Sequence, residues 1–183
     1  MSDARHVVTD RLDLRAMEPR DADDLFPIFC DERTWWYDPP GRHVDIEQTR
    51  RYATVAAERW SAGLSYWTVR LRATGAVIGS GGVQRHVAGS WNLNYRLAPD
   101  AQGHGYATEL VRAALDVAHA TDPDSAVIAW IDAHNAPSRR VAERAGLVDR
   151  GVWPTPNDGR LRVAYADRAL ERDDGPTHRR AEG

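Results

Sequence analysis

From Leu12 the chain alternates apolar and polar residues, Leu12-Asp13-Leu14-Arg15-Ala16-Met17, which is the two-residue period of a half-buried strand. Pro19 and the acidic group Asp21, Asp23 and Asp24 then mark a helix start, and the spacing predicts a short helix from about Ala22 to Cys30. Residues 31–45 read as an aromatic loop holding Trp35, Trp36, Tyr37 and the breaker run Asp38-Pro39-Pro40-Gly41. A second helix is predicted over Ile46 to Ser61, with Ala53, Ala56, Ala57 and Trp60 at helical spacing and Gly63 beyond its end.

Three strands follow in the pattern. Tyr66 to Leu71 is aromatic and β-branched. Ala76 to Val83 is apolar but interrupted by Gly79, Gly81 and Gly82, which predicts a bulge or a close backbone approach. Trp91 to Leu97 places Trp91, Leu93, Tyr95 and Leu97 on one face. The strongest helical pattern comes next: Ala107, Leu110, Val111, Ala114, Leu115 and Ala118 recur at three- and four-residue spacing until Thr121-Asp122-Pro123-Asp124 breaks it. Ala126 to Ile131 is a nearly continuous apolar run, as expected of a strand buried on both faces. A short helix with Ser138, Val141, Ala142 and Ala145 on one side ends at Gly146, and two strands close the pattern near Leu147–Trp153 and Leu161–Asp167. The predicted order is β-α-α-β-β-β-α-β-α-β-β, an α+β domain around one sheet spanning residues 1–170. From Glu171 to 183 the chain is charged and patternless, the signature of a disordered or loosely attached tail.

Composition narrows the picture. With 183 residues, 42% hydrophobic and 28% charged, the chain has the make-up of a soluble globular domain. It contains no apolar run near the roughly 18 residues of a membrane helix, and no secretory leader follows Met1, so a cytoplasmic protein without a membrane partner is expected. A net charge of −3 does not favour nucleic acid. Cys30 is the only cysteine, which excludes an internal disulfide and a thiolate metal site; a small buried hydrophobe is the expected role. All 24 basic residues are arginines, which excludes the phosphate-binding lysine of a P-loop.

One segment carries chemistry. Gln102-Gly103-His104-Gly105-Tyr106-Ala107 places two glycines at the opening of the best helix. Glycines permit positive φ and close approach of a ligand, and a helix start presents free N–H groups and partial positive charge. Together they suit a diphosphate. A plain strand–helix turn that binds nothing is the competing reading. A dinucleotide fingerprint is disfavoured, because the turn lies past the midpoint and its third small residue is Ala107.

These residues resemble the Q/R-x-x-G-x-G/A signature of the GNAT superfamily of N-acetyltransferases. Asn135-Ala136-Pro137-Ser138-Arg139-Arg140-Val141-Ala142-Glu143-Arg144-Ala145-Gly146-Leu147 is similar to the second motif of its RimJ/RimL branch, and Thr9-Asp10-Arg11-Leu12-Asp13-Leu14-Arg15 to that branch's first strand. The resemblance covers about residues 9 to 168. It implies a mixed sheet of about seven strands whose two central strands splay apart, flanked by about four helices. It also implies acetyl-CoA as co-substrate, with no metal, and a primary amine as acceptor: a protein N-terminus or a small molecule. A homodimer is compatible with it.

Residue by residue, the resemblance implies that the backbone at Tyr95 and Leu97 bonds pantetheine and the thioester carbonyl. The turn Gln102, Gly103, His104, Gly105, Tyr106, Ala107 and Thr108 would cradle the pyrophosphate, Asn135 would bond the pantetheine arm, and Arg140 would reach a phosphate. Many relatives carry a tyrosine, to protonate the departing thiolate, at the position of Ala142 here. The RimJ/RimL branch uses the serine at Ser138, whose other reading is a helix cap. Trp35, Trp36 and Tyr37 either line an acceptor pocket or cover the core.

Relatives often carry a glutamate on the strand before the turn, where this chain has Trp91-Asn92-Leu93-Asn94-Tyr95. Asn92 and Asn94 are candidates to hold a water that accepts the amine proton. Glu32, Asp38, His43 and Asp45 are further base candidates, each more in keeping with a solvated surface residue. Freeing an α-amine at pH 7 costs about 1.4 kcal/mol and a lysine about 4.6 kcal/mol, which tilts the reading away from lysine substrates. Two other functions stay open: an acyl-CoA sensor without catalysis, and an aminoglycoside-type acetyltransferase with acidic residues around its pocket.

Overall fold

The computed structural model describes residues 3–86, 89–155 and 158–170; the tail from Glu171 lies outside them. Eight strands form one sheet: β1 (His6–Val8), β2 (Leu12–Ala16), β3 (Tyr66–Leu71), β4 (Val77–Arg85), β5 (Trp91–Leu97), β6 (Val127–Ile131), β7 (Val148–Pro154) and β8 (Leu161–Ala166). Their spatial order is β1-β2-β3-β4-β5-β6-β8-β7. The helices are α1 (Ala22–Phe29), α2 (Ile46–Arg59), α3 (Tyr106–Thr121) and α4 (Ala136–Arg144). This is the expected α+β order with one added strand. β1 was missed because its three residues, His6-Val7-Val8, are too few to show a period and lie at the exposed sheet edge beside β2.

The strand periodicity decides the layers. Leu12 and Leu14 of β2 are buried under α3, as are Trp91, Leu93 and Leu97 of β5, and they share one core with Leu110, Val111, Ala114 and Ala118 of α3. On the opposite face, α1 and α2 pack with Met17, Leu25, Ala53, Ala56 and Tyr66 as a second core. β6 serves both faces: Val127, Ala129 and Ile131 join the α3 core, while Ile128 packs with Ala126, Ala164 and Ala166.

The β4 glycines show both predicted features. The β3–β4 register shifts between Val69 and Arg70, a bulge. A Cβ on Gly81 would stand 2.7 Å from Leu110 Cδ2 and 2.9 Å from the Asn94 carbonyl, so only glycine lets α3 sit down on β4. Cys30 differs from expectation: it ends α1 half-buried rather than inside the core.

The feature that positions the site is a broken pairing. β5 and β6 are parallel and pair only at Trp91↔Val127 and Asn92↔Ile128, after which they diverge. β4 and β5 remain paired out to Leu97. A wedge therefore opens between β5 and β6, with α3 entering at its side and α4 at its far wall.

Candidate active site

A cleft of about 280 Å³ occupies this wedge. Its direction of hydrogen bonding follows from strand alternation. Trp91 N–H donates to the Ala126 carbonyl on the β6 side, while Ala98 N–H donates to the Ile78 carbonyl on the β4 side. Odd-numbered residues of β5 thus turn their backbone toward β6, and at Tyr95 and Leu97 β6 has moved away. The Leu97 carbonyl accepts from Gln102 Nε2 at 3.1 Å. The backbone groups of Tyr95 and the Leu97 N–H face the cleft edge, the pattern an extended ligand completes by strand addition.

The glycine turn closes the adjacent side. Gly103 and Gly105 have φ of 80° and 83°, a region where a Cβ costs about 1–2 kcal/mol. Gly105 is the N-cap of α3, and no side chain caps that helix start, so its first N–H groups and partial positive charge remain directed at the cleft. Gln102, Gly103, Gly105, Tyr106, Ala107 and Thr108 all line it. His104 does not; its Nδ1 lies 2.8 Å from the Gln102 carbonyl and its ring stacks on Tyr106.

The turn is braced from the first strand. Glu109 Oε1 accepts from Thr9 Oγ1 at 2.6 Å and from the Arg11 N–H at 2.8 Å, and Oε2 accepts from Arg11 Nε at 2.7 Å. Burial alone would raise the Glu109 carboxyl, but these hydrogen bonds and the Arg11 charge overcome it and hold the group below its ordinary range. Arg11 also donates Nη1 to the His104 carbonyl at 2.8 Å and lies over the Tyr106 ring at 4.7 Å. The Thr9-Asp10-Arg11 run is therefore a clamp on the turn as well as a strand entry, and Glu109 is structural.

The far wall shows which residue caps α4. Asn135 is the N-cap of α4, its Oδ1 accepting from the Ser138 N–H at 3.2 Å, so the cap is asparagine and the serine hydroxyl is left for other work. That hydroxyl lies 2.7 Å from the Tyr95 hydroxyl, which also reaches the Ser138 carbonyl at 2.9 Å. Burial pushes the Tyr95 phenol well above its usual range, so it stays protonated at neutral pH. Ala142, one turn further, is fully buried. Asn135, Ser138, Arg140 and Arg144 line the cleft, and the exposed Arg140 makes no ion pair among the described residues.

The aromatic loop divides. Trp35 is buried, 7% exposed, and its Nε1 donates to the Phe29 carbonyl at 2.6 Å, so it covers the core. Trp36, half exposed, and Tyr37 line the cleft. His134, which the sequence reading did not single out, approaches the Tyr37 carbonyl with Nε2 at 3.0 Å and the Trp36 ring edge-on, tying this loop across the wedge to the end of β6.

Asn92 and Asn94 stand on the α1/α2 face of β5, away from the Tyr95 and Leu97 side chains. Asn92 Nδ2 donates to the Tyr66 hydroxyl at 3.2 Å, and Asn94 bonds the same hydroxyl. Arg96, the next residue in that phase, does line the cleft, and sequence reasoning missed it. The signal was present as a polar alternation, Asn92-Asn94-Arg96, opposite the apolar one. Of the carboxylate base candidates, Glu32 pairs with Arg42, Asp38 with Arg160, and Asp45 caps α2. His43 is half-buried against Phe29 and Tyr52 with Nδ1 2.8 Å from Thr49 Oγ1; burial first, then the Arg96 charge, depresses its pKa.

This geometry agrees with the comparisons. Residues 11–148 match the family model described as an acetyltransferase (GNAT) domain. The chain belongs to the GNAT acetyltransferase family. It is 33% identical over 146 residues to the uncharacterized protein YkkB of Bacillus subtilis strain 168, covering 77% of this chain and 84% of that one. Its fold is similar to a GNAT-family acetyltransferase from Bacillus anthracis (TM-score 0.73, 22% identity, 88% of this chain and 96% of that one). It is also similar to RimL, a ribosomal-protein alpha-N-acetyltransferase solved in complex with coenzyme A (TM-score 0.70, 18% identity, 92% and 98%). Among the described residues no helix is long and apolar enough to cross a membrane.

Proposed function

We propose that this GNAT enzyme binds acetyl-CoA in the β5–β6 wedge and acetylates a primary amine, a protein N-terminus or a small-molecule amine, by direct attack. The observation that carries the reading is convergence on one cleft. The open backbone edge of β5 at Tyr95, the positive-φ glycine turn and the uncapped start of α3 all face the same space. That set suits an elongated ligand with amides at one end and a diphosphate at the other.

Acetyl-CoA supplies a thioester whose acyl carbon takes the amine nitrogen while the C–S bond breaks. The chain's residues do the rest. Tyr95 N–H is placed to donate to an oxygen gathering negative charge. Gly103 to Thr108 N–H groups hold phosphate, with Arg140 and Arg144 as outer cations. Ser138 delivers a proton to the departing sulfur. Its Oγ lies 2.7 Å from the hydroxyl of Tyr95, a phenol that stays protonated and can pass a proton to the serine as the serine gives its own to sulfur. With the β5 asparagines committed to Tyr66, no carboxylate on β5 accepts the amine proton, which passes to solvent water, and this favours amines of low pKa.

An acetyl-CoA thiol-release assay over a panel of peptides and small amines tests the proposal. Ser138→Ala is expected to lower kcat by about tenfold to a hundredfold, the low range of general-acid effects, with little change in the donor KM. An unchanged kcat removes Ser138 from the mechanism. Tight CoA binding with no turnover on any amine replaces the transferase reading with a sensor.

A further inference from the structure

The cleft holds a cation that no carboxylate among the described residues neutralises. Arg96 lies near the end of β5, half-buried, where the wedge meets the aromatic loop. Its guanidinium stacks 3.2 Å from the centre of the Trp35 ring and 5.8 Å from that of Phe29, and one Nη donates to the Tyr37 hydroxyl at 2.7 Å. Its Nε is buried and has no partner. Among the described residues no carboxylate pairs with it.

Carboxylates of the loops that border the cleft are engaged elsewhere: Asp31 with Arg33, Glu32 with Arg42, Asp38 with Arg160, and Asp132 with Arg160 and Arg162. Aromatic faces stabilise a guanidinium but do not cancel its charge. A half-buried arginine whose charge no described carboxylate offsets is a site for an anion, reached through the Nη end of the guanidinium because Nε is sealed from solvent.

We infer that Arg96 binds a carboxylate of the acceptor, so that the natural substrate is an amine carrying a carboxylate close by, either a free amino acid or a peptide N-terminus next to an acidic residue. The inference rests on the transferase reading above and narrows it. It also supplies what β5 lacks. In solution the ammonium of such a molecule is stabilised by its own carboxylate. Pairing that carboxylate with Arg96 removes the stabilisation and adds a positive charge nearby, so the neutral amine forms more readily without a strong base. A polycationic aminoglycoside, by contrast, would meet Arg96 and, among the described residues lining the cleft, no carboxylate.

The test compares matched acceptors in the thiol-release assay: amino acids against their α-carboxamides, and C-terminally amidated peptides with an acidic second residue against those with its amide counterpart. The acid should exceed its amide in kcat/KM by about tenfold or more, in the first pair if the substrate is an amino acid and in the second if it is a peptide. Arg96→Met should bring that ratio to about one, and Arg96→Lys should retain part of it. Turnover of wild-type enzyme with equal or better use of the amides in both pairs overturns the inference while leaving the transferase reading intact. Thermal shift by the same amines in the presence of CoA separates the other failure. An acid-specific shift lost in Arg96→Met, without thiol release, upholds the carboxylate site and refutes transfer; no acid-specific shift and no release refutes both.

Discussion

Replacing Glu109 with glutamine tests whether the first strand holds the glycine turn. The carboxylate, 16% exposed, accepts three hydrogen bonds, two of them from Arg11. Glutamine can keep an acceptor for Thr9 and the Arg11 N–H, but it turns an NH₂ group toward Arg11 Nε, donor against donor. A hydrogen bond to a charged group contributes about 1.5–3 kcal/mol, but the Arg11 side chain is 50% exposed and its ion-pair share is screened to under about 1 kcal/mol. The expected loss is therefore about 1.5–2.5 kcal/mol at pH 7, read from urea midpoints.

Two further consequences separate this mechanism from generic damage. The folded-state pKa of Glu109 is depressed, so its contribution is full above the ordinary glutamate range and is lost as pH falls through the folded value. The gap between wild type and Glu109→Gln should stay constant from pH 7 to about 5 and narrow below about 4.5. Arg11, released from Glu109, holds the His104 carbonyl and Tyr106 less firmly. The acetyl-CoA KM should then rise about threefold to tenfold with kcat nearly unchanged. Equal urea midpoints at pH 7, together with an equal donor KM, would refute the brace.

Tyr95→Phe should lower kcat about threefold to tenfold, and adding it to Ser138→Ala should lower it no further, because the two hydroxyls act as one unit; additive losses in the double variant argue for separate roles. Gly103→Ala has open space for its methyl but a φ of 80°, so it should raise the donor KM while costing about 1–2 kcal/mol of stability; a donor KM equal to wild type contradicts the cradle. His43 has a depressed pKa, so the unfolded chain binds its proton more readily and stability should fall as pH drops below about 6.5. His43→Gln should flatten that part of the stability–pH curve, and an unchanged slope between pH 7 and 5 shows that burial of His43 does not matter.

The periodicities of the chain were legible because they are local. Leu12 and Leu14, the α3 stripe from Ala107 to Ala118, and the unbroken apolar run of β6 each follow from which faces must be dry. β1 was not legible, since three residues at an edge carry no period. The role of the aromatic loop was not legible either: Trp35 and Trp36 are adjacent and chemically alike, yet one donates to Phe29 inside the core and the other lines the cleft. Residue type gives no sign of which way each ring turns.

The sequence by itself pointed to the family through its motifs and determined the elements from β2 onward and the glycine turn that opens α3, because those signals act within a few residues of one another. Tertiary structure alone decided how the cleft is assembled. The divergence of β5 from β6, the meeting of Tyr95 with Ser138 43 residues away, and the unpaired Arg96 beneath Trp35 all depend on distant segments being brought together. Whether a charge is neutralised is a property of its surroundings in space. The strand that reads as short of a base carries an arginine with no carboxylate partner among the described residues, and only the packing around it reveals that.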